Sequence, residues 1–259
     1  MPVPLKHRAW KLFDEVWRRR RFRPYVSDTT TSGYTYQFFI GDPVGERWYP
    51  RDRGDQPEFE FLRDEVVRPG DVVFECGGHH GLTALFLSDL VGDDGLVVTF
   101  EPFSDNVDIL CRNVVLNRRS NIVCEHAIVG ARCGSTRIYK KSNAKVVPGK
   151  LTSAAVTTID DYVNRSGVTP TVLKIDVEGF EMEVLRGARE TLESKPKIAL
   201  EIHTPVLGRY HTTVEEVLGA LELDSYELWL QRDDRERPER WDRRQPITDR
   251  VHLFAMPKR

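Results

Sequence analysis

Residues 72–87 read VVFECGGHHGLTALFL, two apolar runs joined by a stretch of glycines and histidines. Val72, Val73 and Phe74 are β-formers in a short apolar run, the pattern of a strand buried on both faces. Leu82, Ala84, Leu85, Phe86 and Leu87 suit a mostly buried helix. Between them the chain must reverse, and Gly77, Gly78 and Gly81 stand there. Glycine accepts positive φ and lacks the Cβ that would hold a ligand off the backbone. The expectation is a strand over 72–76, a tight bend and a helix over 81–90. The amides at the helix start would then point at whatever lies over the bend. A bend that binds nothing is the plainer alternative, because a lone glycine-rich turn is a weak signal.

Outward from this unit the alternation repeats. LVVTF (96–100) reads as a strand, followed by a helix capped at Ser104 with Val107, Leu110, Val114 and Leu116 on its apolar side. A third strand is expected at 121–128, then a polar excursion to about 156. TVLKI (171–175) leads into a helix over 179–193, and KIALEI (197–202) into a helix near 213–222. YELWL (226–230) and RVHLFAM (250–256) close the series, joined by the charged QRDDRERPERWDRRQ, read as a solvated loop. Before the unit, 25–57 reads as hairpin-like strands and loops and 59–67 as a short helix ending at Pro69-Gly70. Strands alternating with helices give βαβ units and a parallel sheet, and two final strands without a helix between them add an antiparallel piece at one edge.

The 259 residues, 40% of them hydrophobic, suit one large α/β domain or one domain with an appendage. A net charge of −2 gives no reason to expect nucleic acid. No run reaches the roughly 18 apolar residues that span a bilayer, and the basic N-terminus lacks the apolar core of a signal peptide. Cys76, Cys111, Cys124 and Cys133 form no CxxC pair, so buried free thiols in a reducing cytosol are expected. Trp10, Leu12, Phe13, Val16 and Trp17 with Arg18 to Arg21 fit an amphipathic helix on an anionic membrane surface. They fit better a helix packed on the domain and ending in solvated arginines. No signal for an oligomeric state is present.

In open parallel sheets, ligands sit outside the carboxyl ends of the strands. The first strand ends in Glu75 and the glycine bend. The second ends in FEP, where Glu101 is placed to accept the hydroxyls of a ribose or to favour the next helix N-terminus. The fourth ends in KIDVEGFE, with Asp176 at the tip and Glu178 and Glu181 on one helix face. The fifth ends in LEIHTP, where Glu201 and His203 point to one side, and histidine exchanges protons near neutral pH. A nicotinamide enzyme wants G-x-G-x-x-G; E-C-G-G-H-H-G lacks that pattern, and an acid before the bend suits a positively charged ligand better than a phosphate.

In VVFECGGHHG, VTFEPFSDNVDILCRNVVLN, TTIDDYV, LKIDVEGFEMEVLRGA and IALEIH, spread over about 71–203, the sequence resembles the FkbM-type methyltransferases. These are S-adenosylmethionine-dependent enzymes, many of them O-methyltransferases of sugar or natural-product pathways. The family's aspartate, glycine, small residue and asparagine at the bend correspond here to Glu75, Gly77, Gly78 and His79. The resemblance implies a Rossmann-like class I fold: a mostly parallel seven-stranded sheet, helices on both faces and an antiparallel edge strand. It places that domain at 59–259, after an extension of 1–58. It implies that Glu75 with Gly77 and Gly78 holds the donor's amino-acid end, Glu101 the ribose, and His126 and Ala127 the adenine. His79, Gly81, Pro102 and Asp176 complete the donor set. Asp176, Glu201 and His203 face a hydroxylated small molecule or glycan, and Asp176 or His203 takes its proton, with a divalent cation beside Asp176 as a further candidate. A nicotinamide-dependent oxidoreductase and a non-catalytic binding module on the same fold are the alternatives.

Overall fold

The computed structural model describes residues 21–49, 52–138 and 152–258. The segment 1–20, with the expected N-terminal helix, lies outside them. Two strands, β1 (Tyr25–Thr31) and β2 (Tyr34–Ile40), form an antiparallel hairpin, followed by a short helix α1 (Pro43–Trp48). Helix α2 (Pro57–Phe61) runs on as a wider π turn over Leu62–Val66.

The central sheet then builds from the quoted stretch. β3 (Val72–Cys76) and α3 (Leu82–Val91) fall as expected. β4 (Leu96–Phe100), α4 (Ser104–Leu116) and β5 (Ile122–Glu125) extend the sheet to one side. β9 (Val172–Ile175) and β10 (Lys197–Ile202) extend it to the other. β11 (Tyr226–Gln231), the two-residue β12 (Glu239–Arg240) and β13 (Val251–Pro257) finish it. The order is β12-β11-β13-β10-β9-β3-β4-β5. β10, β9, β3, β4 and β5 are parallel, and β13 runs antiparallel between β10 and β11. Without the short β12 this is the seven-stranded, Rossmann-like arrangement, with the antiparallel element toward one edge. The chain leaves β3 in one direction through β4 and in the other through β9, so the crevice that a doubly wound sheet offers to ligands opens between β3 and β9.

Alternate residues along each strand feed opposite cores, as the two-residue period demands. Phe74, Val98, Leu173 and Leu200 pack against α5 (Ile159–Ser166), α6 (Glu181–Arg186) and α9 (Val214–Gly219). Val73, Val97, Val172 and Ala199 pack against α3, α2 and the hairpin. Phe38 and Ile40 of β2 are fully buried there, each contributing roughly 2–3 kcal/mol of hydrophobic burial. The hairpin is also tied by polar contacts: the Phe39 amide donates to Asn113 Oδ1 at 2.6 Å, and Asn113 Nδ2 donates to the His80 carbonyl at 2.8 Å.

Several local expectations are corrected. The strand expected over 121–128 breaks at His126. β5 ends at Glu125, and β6 (Ile128–Val129) joins a separate sheet with β8 (Thr152–Thr157) and β7 (Gly134–Ile138). The Ala127 amide bonds back to Glu125 O at 3.1 Å, closing a turn that a straight strand cannot contain. The helix expected over 179–193 is two, α6 and α7 (Arg189–Glu193). The Asp160 carboxylate, distant in sequence, accepts from the Glu190 and Thr191 amides and starts α7 afresh. Ser104 is the first residue of α4 and does not cap it; Glu101 reaches forward to the Phe103 amide instead. All four cysteines are free thiols, but only Cys76 is buried, while Cys111 and Cys133 are exposed. α8 (Thr204–Leu207) follows β10 directly.

Candidate active site

A cavity of about 450 Å³ opens over the crevice between β3 and β9, within the range of small-molecule sites. The glycine bend forms one wall. Gly77 has φ +102°, and a Cβ there would lie 1.9 Å from the Asp176 carbonyl oxygen. A Cβ on Gly78 would lie 2.1 Å from Thr99 Oγ1. The bend therefore requires glycine at both positions, one for conformation and contact, the other for contact. The amides of the bend itself, before the helix begins, are turned inward. Those of Gly77 and Gly78 both donate to the Phe100 carbonyl, and that of His79 donates to Glu101 Oε2 at 2.9 Å. What the bend presents is a Cβ-free surface beside the start of α3, where Leu82 and Thr83 line the cavity and no side chain caps the helix.

Of the donor residues expected from sequence, Gly77, Gly78, His79, Glu101, Pro102, Ala127 and Asp176 line the cavity. Glu101 is buried, and its Oε1 accepts from the Phe103 amide and from Asn106 Nδ2. It thus holds the bend and the start of α4 together. His79 sits at φ +45°, with Nδ1 2.5 Å from the Tyr49 hydroxyl and its ring stacked on His80. Three expected residues do not line the cavity. Gly81 packs behind it against Leu110. His126 is exposed and reaches the Pro102 carbonyl from outside, because the turn after β5 swings its ring away; Ala127, Ile128 and Val129 form the wall instead. Glu75 lies one layer below the bend, accepting from Thr99 Oγ1 at 2.7 Å, and burial pushes its carboxyl up to about 7.

The opposite wall collects charge. Asp176, Glu201 and His203 line it, and the strand tips bring them together: His203 Nε2 is 3.3 Å from Glu201 and 3.8 Å from Asp176. His203 Nδ1 is 2.7 Å from Glu181 Oε1, which also accepts from the Gly179 amide. Burial opposes a charged imidazole, but the Glu181 hydrogen bond and the charges of Glu201 and Asp176 outweigh it and raise His203 to about 9. The ring is therefore an imidazolium at neutral pH, donating toward carboxylates on both sides. Asp176 moves up to about 6, through burial first and the Glu201 charge second. Its side chain keeps 38% of its surface exposed.

Asp176, Glu201 and His203 have ligand atoms within 4.8 Å of one another, close enough to surround a cation. The set fits one poorly. Glu201 Oε1 is already bound by Arg250, whose positive charge opposes a cation at that carboxylate.

Beneath these groups runs a feature that sequence reading missed. Thr99, Glu75 and Lys174 lie side by side across β4, β3 and β9, and Glu201, His252 and Gln231 across β10, β13 and β11 one layer further toward the strand tips on the same sheet face, so that buried polar groups run across six strands. Lys174 Nζ meets Glu58 at 3.3 Å, and His252 lies between Glu58 and Asp234. Burial opposes the Lys174 charge, but Glu58, Asp176 and Glu75 outweigh it and hold its pKa above the ordinary lysine value. Lys174 and His252 each interrupt an apolar strand, VLKI and VHLFAM, and that interruption was the available signal. Asp234 and Arg250 pair with each other across the charged connection, which is thus in part a wall of the cavity.

The model of the methyltransferase FkbM domain matches residues 75–228. A hexuronic acid methyltransferase, AglP, of Haloferax volcanii is 29% identical over 210 residues, covering 78% of this chain and 84% of that protein. Among solved structures, the methyltransferase FkbM from Methylobacillus flagellatus KT is 23% identical, with 77% of this chain and 50% of that one covered and a TM-score of 0.47. An S-adenosylmethionine-dependent O-methyltransferase from Thermotoga maritima is 15% identical over 83% of this chain and 71% of that one, with a TM-score of 0.45. The family match spans the bend, Glu101, Asp176, Glu201 and His203, and it decides against a nicotinamide enzyme: the chain belongs to the FkbM methyltransferase family.

Proposed function

We propose that this chain transfers a methyl group from S-adenosylmethionine to an oxygen of a sugar, with Asp176 as general base. The observation that carries the reading is the placement of Asp176. It stands at the tip of β9, against the glycine bend on one side and against His203 and Glu201 on the other. The relative named for a hexuronic acid supports a sugar acceptor. The donor fits a site with a Cβ-free bend, the buried Glu101 carboxylate and the apolar wall of Ala127, Ile128 and Val129. Gly77, Gly78, His79, Glu101 and Pro102 would hold it, with the Glu75 carboxyl beneath the bend. When bound it supplies a methyl group on a sulfonium, already activated for in-line displacement. Val44, Trp48, Tyr49, Arg53 and Gln56, which precede the main domain, line the cavity and take part in shaping its acceptor side, and the protein works in the cytosol.

The chain's own task is then alignment and proton removal. Alignment is worth roughly 7–11 kcal/mol in favourable cases. A general base adds on the order of 10²–10⁴-fold, about 3–5 kcal/mol. Asp176, raised to about 6, is ionised at neutral pH and a stronger base than an ordinary aspartate. His203, an imidazolium near neutral pH, stabilises Asp176 by its charge and does not itself take the proton. Arg250 fixes Glu201. A divalent cation is a competing use of Asp176, Glu201 and His203, and it would have to displace the proton on His203 Nε2.

The test is methyl transfer to a panel of sugars, read by mass spectrometry, beside calorimetry with S-adenosylhomocysteine. Asp176→Asn lowers turnover by 10²–10⁴-fold with the S-adenosylhomocysteine affinity kept within a few-fold. Wild-type-like turnover in that variant removes Asp176 as base. Donor binding without transfer to any sugar makes the chain a binding module.

A further inference from the structure

The polar side chains of the acceptor wall are largely committed to one another. Glu201 is held by Arg250, Asp234 by Arg250 and His252, Glu58 by Lys174, and His203 by Glu181. Two buried atoms of cavity-lining side chains have no hydrogen-bond partner among the described residues: Nε of Arg53 and Oε1 of Gln231. Both residues lie outside the stretch matched by the family model, where features peculiar to this chain's acceptor are expected.

The two atoms are opposite in kind. Arg53 comes from the loop before α2. Its Nη1 donates to the Trp48 carbonyl, which holds the guanidinium in place, and no carboxylate of the described residues lies within ion-pair distance of it. The carboxylate that acts on it through space, Glu58, is already bridged to Lys174. Burial pulls the Arg53 pKa down, a cost that an anion beside it would offset. Gln231 ends β11 and is 2% exposed. Its Nε2 donates to the Glu236 carbonyl at 2.8 Å, so the amide cannot be turned and Oε1 is the atom left over. Both atoms are covered by neighbouring protein, so each side chain must shift slightly to bring its atom to the cavity surface; a buried polar group without a partner costs about 1–3 kcal/mol, and a ligand that supplies the partner offsets that shift. A guanidinium matches the planar oxygens of a carboxylate or the oxygens of a phosphate, and an amide oxygen accepts from a hydroxyl.

We propose that Arg53 and Gln231 are the acceptor-recognition pair, so that the sugar methylated is an acidic one: Arg53 receives its carboxylate or phosphate and Gln231 Oε1 accepts from one of its hydroxyls. This rests on the sugar methyltransferase reading. An acidic group anchored at Arg53 leaves the reacting oxygen to be presented toward Asp176, and a neutral sugar leaves the cation unmatched.

The experiment is calorimetry on the full chain saturated with S-adenosylhomocysteine, titrated with D-glucuronate, D-glucose 6-phosphate and D-glucose. At least one acidic sugar binds tenfold or more tightly than glucose, and which one does so separates carboxylate from phosphate. Arg53→Gln brings the preference below threefold, and Arg53→Lys, which keeps the charge, retains part of it. Gln231→Leu weakens every sugar that binds by threefold or more without changing the preference. Circular dichroism melting checks that each variant is folded, and Arg53→Lys carries the test if Arg53→Gln is not. Equal binding of all three sugars, binding of none, or an undiminished preference in Arg53→Gln overturns the proposal. Failure of S-adenosylhomocysteine to bind strikes the methyltransferase reading beneath it, whereas its binding without an acid preference strikes this proposal alone.

Discussion

Replacing Glu181 by glutamine removes one charge from behind His203 while keeping the side chain's shape. Glu181 is fully buried, and its Oε1 accepts from the Gly179 amide at 2.9 Å and meets His203 Nδ1 at 2.7 Å. His203 stands near 9 against an ordinary 6.5, a difference worth about 3 kcal/mol at roughly 1.4 kcal/mol per pKa unit. Because the folded-state value is raised, the folded state binds the proton more tightly than the unfolded chain. The stabilisation is therefore complete below pH 6.5 and is lost as pH rises through 9. Three carboxylates raise the imidazole, and the Glu181 hydrogen bond leads them. Glu181→Gln should lower the His203 pKa by at least about 1 unit and shrink the stability lost between pH 6.5 and 9.5 by about 1.4 kcal/mol. Glu75 and Asp176, raised to about 7 and about 6, act mostly below that window. The assay is an NMR titration of the histidine side chains, with His203→Gln assigning the resonance, beside urea denaturation at pH 6.5, 8 and 9.5. An unchanged His203 titration in Glu181→Gln would refute the claim that this carboxylate sets the charge state.

The remaining predictions concern the bend, its buried acid and the cation. Gly77→Ala puts a Cβ 1.9 Å from the Asp176 carbonyl at φ +102°, so it should lose at least about 2 kcal/mol of stability and tenfold or more in S-adenosylhomocysteine affinity; calorimetry with wild-type affinity would contradict the geometry. Glu75, pushed up to about 7 by burial, costs the wild type stability as pH rises from 4.5 to 7, because a raised carboxylate binds its proton more tightly when folded. Glu75→Gln should lack that loss and gain on the wild type by about 3 kcal/mol between pH 4.5 and 8, as urea denaturation would show; a difference independent of pH counts against it. Exhaustive dialysis against EDTA should leave turnover within twofold, since Arg250 and His203 already supply the positive charge around Glu201. Loss of activity restored by magnesium or manganese would place a cation there.

Strand positions, the glycine bend and the acidic tips were legible because each depends on residues only a few places apart. The apolar run of β3 and the glycines after it need no knowledge of distant neighbours to be read as strand and turn. Errors arose mainly where a distant group intervened. Asp160 starts α7 from 30 residues away and pairing with β8 draws β6 into another sheet, whereas the Glu101 contact that takes the place expected for Ser104 at the start of α4 is local. Glu75 and Glu101 were identified as carboxylates of the site, but not that the first would lie beneath the bend and the second would hold two loops together.

The sequence by itself therefore determined the class of fold, the crevice at its strand tips and the family, since local periodicity and a compact set of motifs carry all three. Only the tertiary structure decided how charge is arranged within that crevice. Lys174 finds Glu58, His203 finds Glu181, Arg250 finds Glu201, and Arg53 is left with an unmatched Nε. These pairings join positions 22 to 116 residues apart. Electrostatic energy depends on distance in space and on burial, and strand register, not sequence spacing, sets both.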